Sequence, residues 1–394
     1  MRAESTVPTW YDFTVSWVDA NWTRSSGNQR ENVAKALVPM PVALTRDTPT
    51  GAEDARRLRT ALREYAFNKN RRTEAPPDML RVLRAAQRGS QRMTVWEDPQ
   101  TTTDVLAAIA VKLDGTSAAR STAKRNRRGP VTLLDAAVQR GVLATNPLPP
   151  IKRGAAGKNV HAVDKRCIMN PQQSARLLDW LKSRSRGGPR LHAFFATQRL
   201  AGLRPEETVA LRVWDATLPD TGWGELLVHT ATPEVGKQWT NSGEVHDKRH
   251  LKGREEGETR PVPCCPELTA ILREYVEREG LKPGDLLFQG EGGGVLAGSV
   301  YRRTWNRARK EVLTPAEYAS PVAKRVYDLR HSCLTERLNM PIPPAKVATW
   351  AGNSVAVLLE IYALCIDGED DDPEAAHRRP TRGRARGSRK LGRE

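Results

Sequence analysis

Three short stretches of the chain carry side chains suited to handling an anion. Ala201-Gly202-Leu203-Arg204-Pro205-Glu206-Glu207 places a guanidinium beside two carboxylates, ahead of Leu211 and Trp214-Asp215. Tyr327-Asp328-Leu329-Arg330-His331-Ser332 gathers a phenol, a guanidinium and an imidazole. Trp350-Ala351-Gly352-Asn353-Ser354 supplies a carboxamide, and Tyr362 follows. A guanidinium stays charged at any relevant pH and grips two oxygens of one anion in a plane. A phenol is a weak nucleophile, with a pKa near ~10, and needs a positive setting and close alignment to react. Singly, each residue has a plainer reading. Arg204 near a helix start reads as surface, Tyr362 as an aromatic at the edge of a core, and His331 as a packed or capping histidine. The joint order of these types is what asks for a chemical explanation.

The elements that must position them change character along the chain. In the first 150 residues the apolar stripes have helical spacing: Trp10, Phe13, Trp17 and Val18; then Ala55, Leu58, Leu62, Tyr65 and Ala66; then Val105, Leu106, Ile109 and Leu113; then Val131, Leu134, Ala137 and Val138 before Gly141. Strand signals are absent there, so this half is expected to be a small helical bundle over 1–155. Lys124, Arg125, Arg127 and Arg128 cluster between its helices, as a candidate nucleic-acid-binding patch or a solvated face. Residues 156–169 are assigned as a basic linker. The run leading into it holds Asn146-Pro147-Leu148-Pro149-Pro150, and Lys152 and Arg153 are further candidate phosphate contacts.

A second domain is expected over 170–368, opening at Asn170-Pro171, an N-cap followed by Pro at the first helical position. Helices fit 171–182, 189–200, a start at Pro205, the amphipathic run through Leu268, Ile271, Leu272, Tyr275 and Val276, then 298–312, 328–339, 344–351 and 354–364. Strands fit Glu225–His229 and Thr259–Val262, and the polar stretch 237–258 between them suits a long hairpin or a disordered loop. The fold class is therefore α+β and mostly helical, with a small antiparallel sheet. Residues 369–394 run from acidic to arginine-rich without apolar support and read as a disordered tail.

Composition narrows the partners. Lys and Arg number 63 against 46 Asp and Glu, a formal charge of +17 that favours polyanions through counterion release. Five cysteines (Cys167, Cys264, Cys265, Cys333 and Cys365) form no CxxC pair and have no histidine at zinc-finger spacing. No metal or cofactor is expected. The opening MRAESTVPTWYDF lacks the apolar core of a signal peptide, and no stretch approaches the ~20 apolar residues of a membrane span. A cytoplasmic, nucleoid-associated protein with no membrane partner is the expectation. No RRM or KH pattern supports an RNA-binding alternative.

In order and spacing the three stretches resemble the signature segments of tyrosine recombinases, the phage integrase family. That family shows Gly-Leu-Arg followed by an acidic residue, His-x-x-Arg-His, Leu-Gly-His-Ser, and a Tyr closing a helix. Arg330 lies 32 residues before Tyr362 and Asn353 lies nine before it, both as in the family. The likeness covers roughly 170–366 and extends more weakly to Gly141-Val142-Leu143-Ala144-Thr145-Asn146-Pro147. The wording is similar to that of actinobacterial phage and mobile-element integrases.

The resemblance implies an N-terminal core-binding domain and a C-terminal catalytic domain of the DNA breaking-rejoining fold. Arg204 and Arg330 would clamp a phosphodiester. Tyr362 would attack it to give a 3′-phosphotyrosyl link and a free 5′-OH, so that rejoining needs no ATP. A lysine on a hairpin loop would protonate the leaving oxygen; Lys252 is favoured over Lys248, with Lys237 also in the loop. Glu207 would orient its neighbours and His331 would be a second phosphate donor. Tyr327 and Asn353 stand where the family has histidines; both still donate hydrogen bonds, but neither titrates near neutral pH. The implied partners are double-stranded DNA, a homotetramer formed on DNA from free monomers, and an excisionase or directionality factor. Two alternatives stay open: a DNA-binding protein of the same fold with weakened catalysis, and a type IB topoisomerase-like activity.

Overall fold

The computed structural model describes residues 7–46, 51–112, 114–149, 162–250 and 258–366. The chain divides into two compact units, Met1–Ala155 with Thr232–Arg249, and Ala156–Ala231 with His250–Glu394. Among the described residues no single helix is long and apolar enough to cross a membrane.

The first unit is helical. Trp10–Asn21 forms where the first stripe predicts it, capped by Thr9, whose hydroxyl accepts from the Asp12 N–H. Trp10, Phe13, Trp17 and Val18 are its buried face. Gly27–Leu37 and Pro77–Gly89 are helices that the apolar spacing does not announce. The stripe at Ala55–Ala66 becomes Ala52–Ala61 continued by a π turn, Leu62–Ala66.

The basic residues expected between helices instead lie inside one, Arg120–Gln139. The pair Gly129-Pro130 lies inside this helix. In the fold Gly129 sits where a Cβ would come within 2.7 Å of the Ala36 Cβ, so the pair marks a close helix crossing. Beyond it Leu133, Leu134 and Ala137 are buried, while Lys124, Arg125 and Arg128 on the preceding turns are exposed. Arg127 is half-buried, and its Nη2 donates to the Pro149 carbonyl.

The segment Thr232–Arg249, which overlaps the stretch 237–258 expected as a hairpin or loop of the other domain, instead completes the first unit. Trp239 is 1% exposed, its ring 6.2 Å from that of Trp22. Arg30 stacks over Trp22 and donates from Nε to the Trp22 carbonyl (2.9 Å) and from Nη1 to the Trp239 carbonyl (2.8 Å). The Gly27 N–H donates to the Asp247 carboxylate at 3.0 Å, and Asn70 Nδ2 donates to the Thr240 carbonyl at 2.8 Å. A Cβ at Gly27 would meet Val235 Cγ1 at 2.9 Å, so the helix start is shaped to receive this segment.

In the second unit Asn170 caps Pro171–Lys182 in a reciprocal box with Gln173, the two bonds 2.8 and 3.1 Å long. An antiparallel sheet runs Ala216–Thr217, Gly224–Val228, Arg260–Cys264, with Leu226 opposite Val262 and Val228 opposite Arg260. The helices Pro266–Glu279, Gly298–Val312, Asp328–Asn339, Pro344–Ala351 and Val355–Tyr362 follow as the periodicity predicts. Phe194, Phe195, Phe288, Tyr275 and Trp305 form an aromatic core. A smaller cluster holds Val163, Leu334, Val347, Leu358, Tyr362 and Cys365. Residues assigned to the linker therefore take part in packing: Val163 is buried, and its N–H donates to the Ile361 carbonyl at 2.7 Å. Lys152, Arg153, Lys252 and the tail 369–394 lie outside the described residues.

Replacing Trp239 with Ala is expected to lower the stability of the first unit by about 3–5 kcal/mol, the usual cost of emptying a buried Trp site. Hydrogen exchange in the intact chain checks this: the Gly27–Leu37 amides should lose protection while those of Pro266–Glu279 keep theirs.

Candidate active site

A helix from Gly188 to Ala196 ends in a π turn, Thr197–Ala201, which Gly202 stops in the left-handed region at φ +70°. Arg204 is the N-cap of the short helix Pro205–Thr208, with Pro at its first position and Glu207 at its third. The Arg204 N–H donates to Glu207 Oε2 at 3.0 Å, and its Nη1 donates to Oε1 at 2.7 Å. The other arm of the same guanidinium, Nη2, donates to Asn353 Oδ1 at 2.8 Å and to the Gly352 carbonyl at 3.3 Å.

Glu207 is held from a second side by Arg260, whose Nη1 and Nη2 donate to Oε1 and Oε2 at 3.1 and 2.7 Å. Both residues are almost fully buried, Arg260 at 1% and Glu207 at 2% exposed. Burial alone would raise the carboxyl's pKa; Arg260 and Arg204 overcome this and bring it down to about 2. Gly352 makes the approach possible. It ends Pro344–Ala351 at φ +64°, and a Cβ there would collide with Arg260 Nη1.

Arg330 rises from the first turn of Asp328–Asn339 and is 1% exposed. It donates from Nη1 to the Gly202 carbonyl and from Nη2 to the Ala351 carbonyl (2.7 Å), lacing the three sequence segments together. Asp328, fully buried, fixes the start of this helix by accepting from the Arg325 N–H and Nη2, both at 2.8 Å.

The phenol lies within the field of Arg330. Tyr362 closes Val355–Tyr362, is 2% exposed, and its hydroxyl is 2.9 Å from His331 Nδ1. The His331 ring packs edge-on against both Tyr327 (5.0 Å between centroids) and Tyr362 (5.7 Å). The Arg330 guanidinium is 6.0 Å from the Tyr327 ring centroid. Burial raises the Tyr362 pKa above the ordinary phenol value, and the charge of Arg330 pulls it the other way. Burial, then Arg325 and Arg330, press His331 down to about 4, so its ring is neutral at ordinary pH.

Seven sequence-expected residues thus come together in the second unit: Arg204, Glu207, Tyr327, Arg330, His331, Asn353 and Tyr362. Lys124, Arg125, Arg127 and Arg128 belong to the first unit, as do Lys237 and Lys248, which are both exposed. The residue that sequence reasoning misses is Arg260, which reads there only as part of a strand. A signal is present: Arg260, Val262 and Cys264 alternate onto one buried face, and an arginine there needs an anion. Among the described residues no group of three His, Cys, Asp or Glu could hold a metal ion.

The chain shares its fold with solved structures of a transposon integrase. That protein is the Tn1549 transposon integrase. One of its structures, in complex with transposon right end DNA, is 17% identical, covers 72% of this chain and 87% of its own, and superposes with a TM-score of 0.54. Another, in complex with circular intermediate DNA, is 16% identical, covers 78% and 94%, and gives 0.53. No protein-family model matches the sequence, and no curated protein does either.

Glu207→Gln is expected to cost about 3–5 kcal/mol of unfolding free energy, because it leaves Arg260 buried without a counter-charge. The folded pKa of Glu207 is depressed, so its contribution is full above the ordinary value of 4.5 and is lost as pH falls toward about 2. Denaturant unfolding of both proteins should show their difference shrinking across that window.

Proposed function

We propose that the chain is a site-specific DNA recombinase that cuts and rejoins strands through Tyr362. The observation that carries this reading is the convergence of Arg204, Arg330 and Asn353 with the Tyr362–His331 pair in one unit. A phosphodiester attacked in line gains negative charge on its non-bridging oxygens, and guanidiniums already in place stabilise that charge without rearranging. Arg204 and Arg330 take this role, with Asn353 as a neutral donor and Glu207 as the residue that orients Arg204.

The tyrosyl oxygen would then carry the 3′ phosphate while the 5′-OH departs. The energy of the phosphoester is kept in the new bond, so rejoining needs no cofactor. Lys252 remains the sequence-based candidate for protonating the departing oxygen, with Lys248 as its competitor. The exposed Lys124, Arg125 and Arg128 on the Arg120–Gln139 helix are assigned to backbone phosphates, which supply affinity rather than sequence choice. Recombination joins two duplexes by four cuts, and the working assembly is proposed to be a homotetramer on DNA.

One observation favours a second reading. Tyr362 is 2% exposed, so in this conformation no phosphate reaches its oxygen. A protein that binds DNA without cutting it would keep such a geometry.

A nicked suicide substrate separates the two readings. The recombinase forms a covalent DNA adduct that vanishes in Tyr362→Phe; a binding protein forms none. Arg330→Ala should slow adduct formation by at least ~10²-fold while keeping most of the affinity. Changing Arg125 or Arg128 to Ala should instead weaken binding evenly across sequences. Each such change should also reduce the salt dependence by about one counterion per phosphate left unneutralised. Gel filtration with site DNA tests the assembly. Complexes that never hold more than two protomers on one duplex rule out the tetramer.

A further inference from the structure

A phenol is a poor nucleophile until something takes its proton, and the burial of Tyr362 makes its ionisation harder still. The side chain within hydrogen-bond reach of its oxygen is His331, at 2.9 Å. Tyr327 stands where the family resemblance implies an imidazole, and a second phenol cannot serve as a base near neutral pH. Its ring lies edge-on against His331, with Tyr362 edge-on to the same imidazole. The imidazole plane is thereby fixed, and Nδ1 is directed at the reacting oxygen.

We propose that His331 is the catalytic base for Tyr362. This role rests on the recombinase reading, and it differs from that of a phosphate donor. As the phenolic oxygen bonds to phosphorus, its proton passes to Nδ1 of a ring that carries its own hydrogen on Nε2. The bond from phosphorus to the departing sugar oxygen breaks, and that oxygen is protonated by a separate donor, a lysine or water. On rejoining, the sugar hydroxyl attacks and gives its proton back to that separate group, while the departing phenolate recovers its own from the His331 imidazolium.

The charges around the imidazole suit a base that works only on bound DNA. Arg325 and Arg330 face it from its own helix and the turn before, and the thiols of Cys333 and Cys365 face the phenol. With the site empty, the two guanidiniums disfavour an imidazolium. A phosphate held by Arg330 and Arg204 offsets them, so the proton affinity of His331 rises when substrate is present.

The test is adduct formation on a nicked substrate by His331→Asn and His331→Ala, with DNA affinity and thermal melting measured alongside. The Asn side chain keeps a hydrogen-bond acceptor near the place of Nδ1 but takes no proton, so it preserves the position of Tyr362 without the base. His331→Asn should melt close to the parent and His331→Ala lower, both should bind DNA as the parent does, and both should form adduct about 10²–10⁴-fold more slowly. Added imidazole should recover part of the rate in His331→Ala and none in Tyr362→Phe. Adduct formation by His331→Asn within about threefold of the parent, far less than general-base loss, overturns the proposal while leaving the recombinase intact. A parent protein that forms no Tyr362-dependent adduct overturns the recombinase reading, and this proposal with it.

Discussion

A single carboxylate organises the second unit. Glu207 lies out of water between Arg204 and Arg260, with Arg330 close enough to lower its pKa as well. Three guanidiniums against one carboxylate leave two positive charges in excess, inside a protein interior where water screens them poorly. Without the carboxylate these arginines would repel one another and their burial would be prohibitive. With it, Arg260 is fully committed to structure. Arg204 is steered so that its second arm reaches Asn353, and Arg330 is braced on two carbonyls. Among the described residues, Glu207 is the carboxylate that these arginines bond, so a net positive field remains around the site.

The site is divided electrically. One side is cationic and built from Arg204, Arg260 and Arg330; the other is aromatic and neutral, built from Tyr327, His331 and Tyr362. Arg330 and His331 are consecutive on one helix, so the helix start at Asp328 positions both the guanidinium and the imidazole that contacts Tyr362. That start is itself pinned: Asp328 accepts from Arg325, and the Ser332 hydroxyl donates to the Asp328 carbonyl at 2.9 Å while accepting the Met169 N–H at 3.1 Å. Tyr362 is held from behind by the pairing of Val163 with Ile361 and by the thiol of Cys365 on the Val163 carbonyl (3.6 Å).

Most helices of the second unit are legible in the sequence because caps and periodicity agree. Asn170-Pro171 opens a helix in both sequence and structure, and Gly280 and Gly352 end theirs in the left-handed region. That Arg204, Arg330, Asn353 and Tyr362 lie in one unit is legible from the order of their three segments in the sequence. Arg260 escapes because its strand is recognised by its apolar members. The placement of Thr232–Arg249 escapes because nothing local encodes it: the partners of Trp239 and Asp247 are Trp22, Gly27 and Arg30, some two hundred positions upstream. The basic run at Lys124–Arg128 reads as lying between helices because the apolar stripe begins only at Val131, whereas the helix starts at Arg120 and runs through Gly129-Pro130 at a point of close packing.

The peptide passes from one unit to the other three times, after Ala155, after Ala231 and after Arg249. Neither unit is therefore a continuous stretch of the gene. A fragment stopping at residue 155 would keep the socket formed by Trp22, Gly27 and Arg30 but lose the plug that fills it. A fragment beginning at residue 156 would carry that plug with nowhere to bury its indole. Dissection of the chain into halves creates two sticky faces that the intact polypeptide never exposes, and a nick in the stretch between the halves leaves the pieces fastened by the packing of Trp239.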